Sequence, residues 1–589
     1  MQRRGEAGLS GEQGKLFQSS TKKSVGGKMT SNYVPEEFTD EEKELLAPFV
    51  TNVDKQVYGV RIHPLIQAAI NTRISKSADS IRRILLDYLK KPEPGAEDLV
   101  ETHASPDWND AFDMGKAERL FDRVAGGQVT RHGTVLEQAP VCIVYEDISN
   151  LATKEVERER IGSPYLERST RYVQYTDKTG GRFKFYRDPF LMASELGDEA
   201  EKVMNHCMAL AAEIQPELQD MIRERIPWED YVHVDPESGE LTHVLDIHPA
   251  DKQMIGKARR QYESTINNFA FDRVRGLFPA AIQSTVVTVP NMRTLSLKLN
   301  KWGVSPFGEM RDLVEPTREA VEAMGLGALL REEMRPDWVE SNRLRSRAAA
   351  AEICPRTSYT GPTGISARIL DITPEADVVV LSHMIFEHDN RPYEVIEKEV
   401  RSMGHEQKSA AFDAILGGRL NRFDKVDRGL EPVHLRIEMV LPFQVYRDLQ
   451  RHRILSQYDQ LLTTELGYHT PEEILEIGRK DDWDRAMEMV ARLNERARGV
   501  HPYQSQYPVT FAFNKRFLVD ISLREVFWMT ELRSGTAGHE IYRGLMHSIK
   551  EQLDTIPELE MITPYMFVDM NKYPIGALNQ ERLRQLGRA

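Results

Sequence analysis

The stretch Gln450–Ser456 reads QRHRILS and follows an apolar segment, LPFQVYRDL, at residues 441–449. Two arginines and a histidine in succession are common on solvated helix faces, so this triplet alone indicates little. The chain carries a second version of the triplet, however, because RERIGS at 158–163 matches RHRILS at 451–456. A repeated motif in a chain of 589 residues, which is too long for one ordinary core, favours a duplicated architecture.

Three further pairs of segments match in the same order. RVRGLFP at 273–279 matches RARGVHP at 496–502, the stretch 291–310 parallels 522–541, and a Leu-Glu pair precedes each triplet, at 136–137 and 430–431. We therefore predict a tandem duplication, with a first copy at 33–335 and a second, more diverged copy at 345–589. The charged segment between the copies is expected to be a partly helical linker. Residues 1–32 lack the apolar core of a signal peptide and are expected to form a disordered basic tail.

The spacing of apolar residues predicts the secondary structure of each copy. Alternation over 434–441 predicts a strand, and the apolar run 139–148 predicts a more buried one. Pro442 suits the first turn of a helix, which we expect to continue through Arg451 and His452. Segments 191–225, 312–332 and 471–498 are also predicted to be helical. The fold class is therefore α+β, and each copy is expected to be a small antiparallel sheet packed with helices.

Composition limits the function to a few classes. The chain is 40% hydrophobic and 29% charged, and no apolar run reaches the ~18 residues that cross a membrane. A formal net charge of −14 argues against a nucleic-acid-binding protein, so clustered arginines are expected to bind a small anionic ligand. Three cysteines without a CxxC pair exclude a disulfide scaffold and a cysteine zinc site. We expect a cytoplasmic protein without a metal centre.

The motifs resemble those of one enzyme family. RHRILS at 451–456 and ERSTRY at 167–172 are similar to the signature of flavin-dependent thymidylate synthases, which is Arg-His-Arg, then Ser, then a Glu-x-Ser-x-Arg-Tyr run. RHGTVLE at 131–137 resembles the segment that precedes this signature. The resemblance covers residues 130–310 well and 428–545 less well. It implies methylation of dUMP to dTMP without a cysteine nucleophile, with FAD as cofactor and with NADPH and methylenetetrahydrofolate as co-substrates.

Neither copy matches the family completely. In the first copy, Glu159 replaces the triplet histidine, Glu155 replaces a glutamine, and Trp302 replaces a late arginine. In the second copy, the triplet is intact, but SQYDQLLTTELGY at 456–468 replaces the Ser-x-Arg-Tyr run and Asp448 stands at the glutamine position. Because family sites are shared between subunits, these losses imply one hybrid site that takes residues from both copies.

The resemblance assigns the residues of this hybrid site. The implied dUMP-binding residues are Glu167, Ser169, Arg171, Arg275, Arg451 and Arg533, and the catalytic role falls to Arg533 and Arg451. Guanidinium groups bind phosphate through paired hydrogen bonds, which suits a nucleotide monophosphate. Arg498, the counterpart of Arg275 in the second repeat, is expected to have no part in the site.

The implied flavin site is also a hybrid. Its residues are His132, Thr134, Glu137, Asn291 and Arg293 from the first copy, joined by Arg451, His452, Arg453 and Ile454 from the second. Val426, Arg428 and Ser522 replace His132, Thr134 and Asn291 in the second copy. Because the family builds its sites between subunits, we expect a homodimer that forms a pseudo-tetramer of four similar domains.

Two alternatives remain open at the level of sequence. Glu155, Glu159 and Asp448 place negative charge where the family presents neutral or positive groups, and this works against binding of an anion. The protein is then a catalytically degenerate scaffold that binds a flavin or a nucleotide. Alternatively, the acidic replacements select another pyrimidine nucleotide as the substrate of a methylase.

Overall fold

The computed structural model describes residues 36–89 apart from 52, 55–59, 61 and 75–79; residues 115, 117 and 119; and residues 133–588 apart from 160, 172, 331–335, 355–362 and 537. The predicted tail, 1–32, lies outside the described residues. The chain divides into two compact units, Met1–Leu120 and Phe121–Ala589. The described helices of the first unit are α1 (Asp40–Leu46), α2 (Pro64–Ile74) and α3 (Ile81–Leu86).

The second unit contains both sets of repeated motifs. Its first half comprises α4 (Gly133–Glu137), β1 (Ile143–Ser149), α5 (Asn150–Glu157), β2 (Tyr165–Glu167), β3 (Lys178–Thr179), β4 (Arg182–Phe183), α6 (Pro189–Met192), α7 (Gly197–Arg225), β5 (Val232–Val234), β6 (Leu241–His243), α8 (Lys252–Val274), β7 (Gln283–Thr288), α9 (Met292–Gly303), α10 (Gly308–Asp312) and α11 (Val314–Ala323). Its second half comprises β8 (Ser366–Ile372), α13 (Ala376–Phe386), α14 (Tyr393–Ser402), α15 (His405–Leu416), β9 (His434–Pro442), α16 (Phe443–Leu449), β10 (Leu455–Asp459), α17 (Glu472–Glu476), α18 (Lys480–Val500), β11 (Asn514–Ser522), α19 (Leu523–Arg533), α20 (Glu540–Leu553) and α21 (Ala577–Gln585), after the linking helix α12 (Pro336–Ile353).

The two halves contain sheets of the same design. The first sheet has the strand order β1-β7-β2, and the second has the order β10-β11-β9-β8, with antiparallel pairing throughout. If β1, β7 and β2 are matched to β9, β11 and β10, the orders agree and β8 is an added edge strand. Helices follow β1 and β9, and also β7 and β11, at equivalent places. The predicted α+β fold class, with a small antiparallel sheet in each copy, is confirmed.

The strand predictions succeed where alternation is regular. Leu435, Ile437 and Met439 point into the core at no more than 1% exposure, so the predicted strand 434–441 is confirmed as β9. Strand β1 is shorter than the predicted 139–148, because the chain enters at Pro140 through a single bridge to Asn291.

The helix after Pro442 is shorter than predicted. It ends at Leu449, so Arg451 and His452 lie outside it, and β10 begins at Leu455. The Gln457 side chain satisfies carbonyls at this end, because its amide donates to the backbone carbonyls of Gln450 and His452 at 3.1 and 3.0 Å. Carbonyls at the end of a helix have no partner within the helix. The prediction of a helix through the triplet was wrong.

The other predicted helical segments are confirmed in outline. Segment 191–225 contains the end of α6 and all of α7, segment 312–332 contains α11, and segment 471–498 contains α17 and most of α18. The linker between the two halves forms the largely exposed helix α12.

The halves meet at a seam of four backbone hydrogen bonds. The Ala280 N–H donates to the Val509 carbonyl at 2.8 Å, and the Phe511 N–H donates to the Phe278 carbonyl at 2.9 Å. Outside this pair, Ala281 donates to Tyr507 and Ala512 donates to Gly276, each at 2.9 Å. In each pair of bonds, adding 231 to the number of the donor in the first half gives the donor in the second half, and the same holds for the acceptors. The seam therefore has approximate two-fold symmetry.

The register of this seam shows that the predicted equivalence of Arg275 and Arg498 was wrong. The same offset that relates Gly276 to Tyr507 relates Arg275 to Gln506, so Gln506 is the structural counterpart of Arg275. Arg498 instead lies in the last turn of α18, where it pairs with Glu465 at 2.6 Å. The match between RVRGLFP and RARGVHP is therefore not a structural equivalence.

The two glycines of that match provide a test of the seam. A Cβ on Gly276 would lie 2.7 Å from the Cη2 atom of the fully buried Trp483, whereas a Cβ on Gly499 would meet nothing within 4 Å. Gly276→Ala should lower the free energy of unfolding by about 1–3 kcal/mol, because a tightly packed interior does not accept an added methyl group. Gly499→Ala, inside α18, should be neutral or stabilising by up to about 1 kcal/mol. Urea denaturation of both variants checks this, and equal losses would contradict the packing argument.

Candidate functional site

Glu167 joins the two halves at the centre of the candidate site. It is the last residue of β2, and its side chain is fully buried. Its carboxylate accepts from Arg447 at 2.7 Å, from Lys154 at 2.9 Å and from Arg451 at 3.4 Å. Burial by itself would raise the pKa of Glu167, but the charges of Arg447, Lys154 and Arg451 outweigh it and hold the pKa below the usual value. The carboxylate is therefore ionised, and it draws cations from both halves.

Arg447 is a functional candidate that the sequence prediction missed. It lies in the last turn of α16, is 5% exposed, and also donates to the Thr170 hydroxyl at 2.7 Å. A signal was present in the sequence, because a cation stands four residues before the first arginine of each triplet: Lys154 in one copy and Arg447 in the other. Both cations bind the same carboxylate.

A second buried acid extends this cluster. Glu157, at the end of α5, accepts from Lys154 at 2.6 Å. Burial raises the pKa of Glu157 to about 7, against the lowering effect of Lys154. Gln450 crosses the interface between the halves and donates to the Lys154 carbonyl at 3.1 Å.

The predicted substrate arginines of the first half surround another buried carboxylate. Asp272 pairs with Arg275 at 2.9 Å and with Arg171 at 3.1 Å. Burial would raise the pKa of Asp272, but Arg275, His539 and Arg171 hold it below the usual value. Arg275 also reaches Thr170, at 3.5 Å, which places it on the same segment as Glu167 and Ser169. No motif had indicated Asp272.

The predicted residues of the second half form a linear chain of hydrogen bonds. Arg533 donates from Nη2 to the Asp448 carbonyl at 2.7 Å and from Nε to Nε2 of His452 at 3.2 Å. Because a guanidinium only donates, Nε2 of His452 must accept, and the ring proton on Nδ1 donates to Glu525 at 2.9 Å. Burial lowers the pKa of His452, which is consistent with a neutral ring. His452 is 4% exposed and holds Arg533 in place.

The residues predicted to bind flavin fall into two separate groups. In the first half, Arg293 pairs with Glu137 at 2.6 Å, Asn291 caps α9, and Thr134 is exposed. His132 lies outside the described residues. In the second half, the Arg453 guanidinium lies 5.9 Å from the centre of the Tyr165 ring. Ile454 is 66% exposed and lines a cavity together with Ser522 and Arg524 of its own half.

The place related by the two-fold to the Glu167 cluster is filled by the protein's own charges. Arg158, the counterpart of Arg451, pairs with Glu155 at 3.0 Å and with Asp459 at 3.3 Å, and Lys515 pairs with Asp459 at 2.7 Å. A cavity of about 80 Å³ lies beside them, and Gln506 is in its lining. Trp302, which replaces the late arginine, packs on the ring of Tyr145 with ring centres 5.8 Å apart.

The residues that the structure describes contain neither a candidate membrane-spanning helix nor a candidate metal site. None of their helices combines the length and the apolar character that a bilayer crossing requires. None of their groups of histidine, cysteine and acidic side chains is arranged to hold a metal ion.

Several known proteins are similar to this chain. A UPF0159 protein from Chlamydia pneumoniae is 26% identical over 558 residues, which cover 93% of this chain and 98% of that protein. Among solved structures, the UMP/dUMP methylase PolB from Streptomyces cacaoi, bound with 5-Br dUMP, is 12% identical with a TM-score of 0.27 and covers 35% of this chain and 98% of its own. Thymidylate synthase X from Helicobacter pylori, with FAD and dUMP, is 18% identical with a TM-score of 0.25, and covers 35% and 99% respectively.

A family match decides the classification. The sequence pattern of the thymidylate synthase complementing protein family, Thy1, matches the chain twice, at residues 85–323 and 368–557. These segments make up more than half of the chain and contain both versions of the triplet. The protein therefore belongs to the thymidylate synthase complementing protein family, that of the flavin-dependent thymidylate synthases, and carries the family domain twice.

Proposed function

We propose that this protein methylates dUMP to dTMP at one hybrid site built from both halves, with FAD as cofactor and with NADPH and methylenetetrahydrofolate as co-substrates. The observation that carries the proposal is the meeting of Glu167 and Arg451 in one cluster. The sequence motifs place these two residues in different copies, and family sites draw on different subunits for them. Their contact within a single chain supports a site completed by the duplication.

The charges around this cluster suit a nucleotide monophosphate. Arg451 keeps 40% of its side chain exposed, so its guanidinium remains accessible to a ligand. Arg171 and Arg275 share one carboxylate, Asp272, which leaves an excess of positive charge on that side. Guanidinium groups bind a phosphate dianion through short charge-assisted hydrogen bonds. We assign these three arginines, with Ser169 and Arg533, to nucleotide binding.

The chemistry of methyl transfer does not require a protein nucleophile here. Cys207 is buried in the core and Cys142 and Cys354 are exposed, and none of them is in the Glu167 cluster. When bound, a flavin supplies the redox chemistry, and the protein binds and orients the reactants. We assign that orienting role to Arg451 and Arg533, which Glu167 and His452 hold in position.

A different pyrimidine nucleotide is the second candidate substrate. Asp448 follows Arg447 directly, and its negative charge acts on Arg275 and Arg451. A carboxylate accepts hydrogen bonds from the exocyclic amine of cytosine, whereas the corresponding oxygen of uracil offers no donor. A cytosine nucleotide therefore belongs in every binding assay beside dUMP.

The first prediction compares two arginines at equivalent places. Arg451→Ala should weaken dUMP binding roughly ten- to a hundredfold, because a hydrogen bond to a charged group contributes about 1.5–3 kcal/mol. Arg158→Ala, at the filled counterpart of the site, should leave binding unchanged. Both side chains are about half exposed, at 40% and 48%, so truncation should not unfold the chain. Calorimetric titration of dUMP measures both variants. Weaker binding by Arg158→Ala but not by Arg451→Ala would place the nucleotide site beside Arg158 instead.

The second prediction concerns activity. The purified protein supplied with FAD, NADPH and methylenetetrahydrofolate should release tritium from [5-³H]dUMP and form dTMP, and Arg451→Ala should lose most of this activity while Arg158→Ala retains it. Parallel reactions with dCMP and UMP test the second candidate. A protein that binds no dUMP and turns over none of the three nucleotides is a degenerate relative.

The third prediction concerns assembly. Val144 on β1 and Leu166 on β2 flank Val287 across the first sheet and are 51% and 78% exposed. Such a row of apolar side chains on an open sheet face favours association. Light scattering at micromolar concentration should therefore give twice the chain mass of 67.5 kDa. Val144→Lys together with Leu166→Lys should shift the protein towards the monomer, and a wild-type protein that is a strict monomer would refute the predicted pseudo-tetramer.

A further inference from the structure

A cationic cavity of about 280 Å³ lies at the start of α19 in the second half. It is lined by side chains of the loop before β9, of the residues that follow the triplet, and of α19. The lining includes Arg422, Lys425, Ile454, Arg524, Glu525 and Trp528. No sequence motif of the family had indicated Arg422, Lys425 or Trp528.

The four cations of this cavity, Arg419, Arg422, Lys425 and Arg524, fall into two pairs. Arg419 is neutralised by Glu531 at 2.9 Å, and Arg524 is paired with Glu431 at 2.7 Å. By contrast, within the part of the chain that the structure describes, Arg422 and Lys425 form no ion pair with a carboxylate. The Lys425 ammonium lies over the Trp528 ring, 3.5 Å from its centre. In a chain of net charge −14, two such cations beside a partly buried aromatic ring suit an anion that carries a planar ring.

The cavity adjoins the residues assigned to the nucleotide. Glu525 is in its lining and binds His452, which in turn holds Arg533. Ile454, at its rim, is three residues from Arg451. A ligand in this cavity would therefore lie close to Arg451 and Arg533, the second-half arginines of the proposed nucleotide site.

The flavin residues indicated by the motifs of the first copy lie elsewhere. Asn291 lies beside the degenerate triplet of the first half. Its backbone N–H donates to the carbonyl of Gly162, which follows that triplet. Arg158 of that triplet forms ion pairs with Glu155 and Asp459. A redox cofactor must touch the pyrimidine on which it acts. Within one chain, the first-copy group is therefore on the side of the filled site.

We propose that the phosphates of the flavin dinucleotide bind Arg422 and Lys425 in this cavity, with a ring of the cofactor against Trp528. The assignment rests on the proposed flavin-dependent function and replaces the first-copy group, Glu137, Asn291 and Arg293, as the flavin site. The donor set fits the cofactor: Arg422 and Lys425 match a diphosphate, and the Lys425 ammonium lies over the ring of Trp528, against which a cofactor ring can pack.

The test uses charge reversal on both candidate groups. In the full chain, Arg422→Glu together with Lys425→Glu should weaken FAD binding roughly ten- to a hundredfold. Arg293→Glu is the matched control, because Arg293 is the sequence counterpart of Arg524 and is 42% exposed in the first half. The readouts are flavin absorbance per chain after gel filtration and the quenching of flavin fluorescence on binding. Thermal melting of each variant verifies that it is folded.

The outcomes separate this assignment from the proposed function. Loss of flavin from Arg293→Glu with retention by the double variant overturns the assignment, and so does retention by both. A wild-type protein that binds dUMP but no FAD overturns it as well, while leaving the nucleotide site intact. A protein that binds FAD through Arg422 and Lys425 but binds no dUMP supports the assignment and refutes the proposed reaction. ADP serves as a second probe, and its binding should be lost in the double variant alone.

Discussion

The buried charge of Glu167 is the constraint around which the two halves are arranged. A carboxylate that is removed from water needs compensating cations, and this one takes Lys154 from its own half and Arg447 and Arg451 from the other. Without the second half, Glu167 and Glu157 would share the single ammonium of Lys154. Such a buried cluster adds little net stability, but removal of one partner from it is strongly destabilising. Glu167 thus ties the two halves together, and it holds Arg447 and Arg451 against the first half.

The seam between the halves explains how the duplicated copies could diverge. Its four hydrogen bonds join backbone atoms, which every residue except proline supplies in full, so they persist whatever side chains the copies carry. Side chains along the same two-fold have changed freely: Gln506 stands opposite Arg275, and Trp302 stands where the other copy has Arg533. The interface therefore kept its symmetry while the side chains at the two equivalent places diverged. At one place Glu167 binds Lys154, Arg447 and Arg451, and at the other Asp459 binds Arg158 and Lys515.

Sequence patterns predicted the elements better than the pairings. The alternation of Leu435, Ile437 and Met439 was sufficient to locate β9, because one face of that strand is wholly buried. Short ordered motifs were sufficient to reveal the duplication and the family. The patterns did not show that Asp272 or Arg447 is a central charge, because ion pairs between residues far apart in the chain leave no periodic signal. The predicted equivalence of Arg275 and Arg498 was wrong for a related reason. Backbone hydrogen bonds of the seam set which residues are equivalent, and a similarity between two short motifs does not reveal those bonds.

The position of the seam in the chain has a consequence for synthesis. Four backbone groups of the segment 276–282, the N–H groups of Ala280 and Ala281 and the carbonyls of Gly276 and Phe278, find their partners only when residues 507–512 have been made, after about 230 more residues are added. At typical translation rates of ~5–20 residues per second, this interval lasts roughly 12 to 46 s. During that time the nascent first half lacks these seam bonds, and Phe278, which the finished protein buries completely, lacks its contact with the Phe511 ring. During synthesis this unpaired edge has to be kept from neighbouring nascent chains, because an unpaired strand edge is a template for wrong pairing.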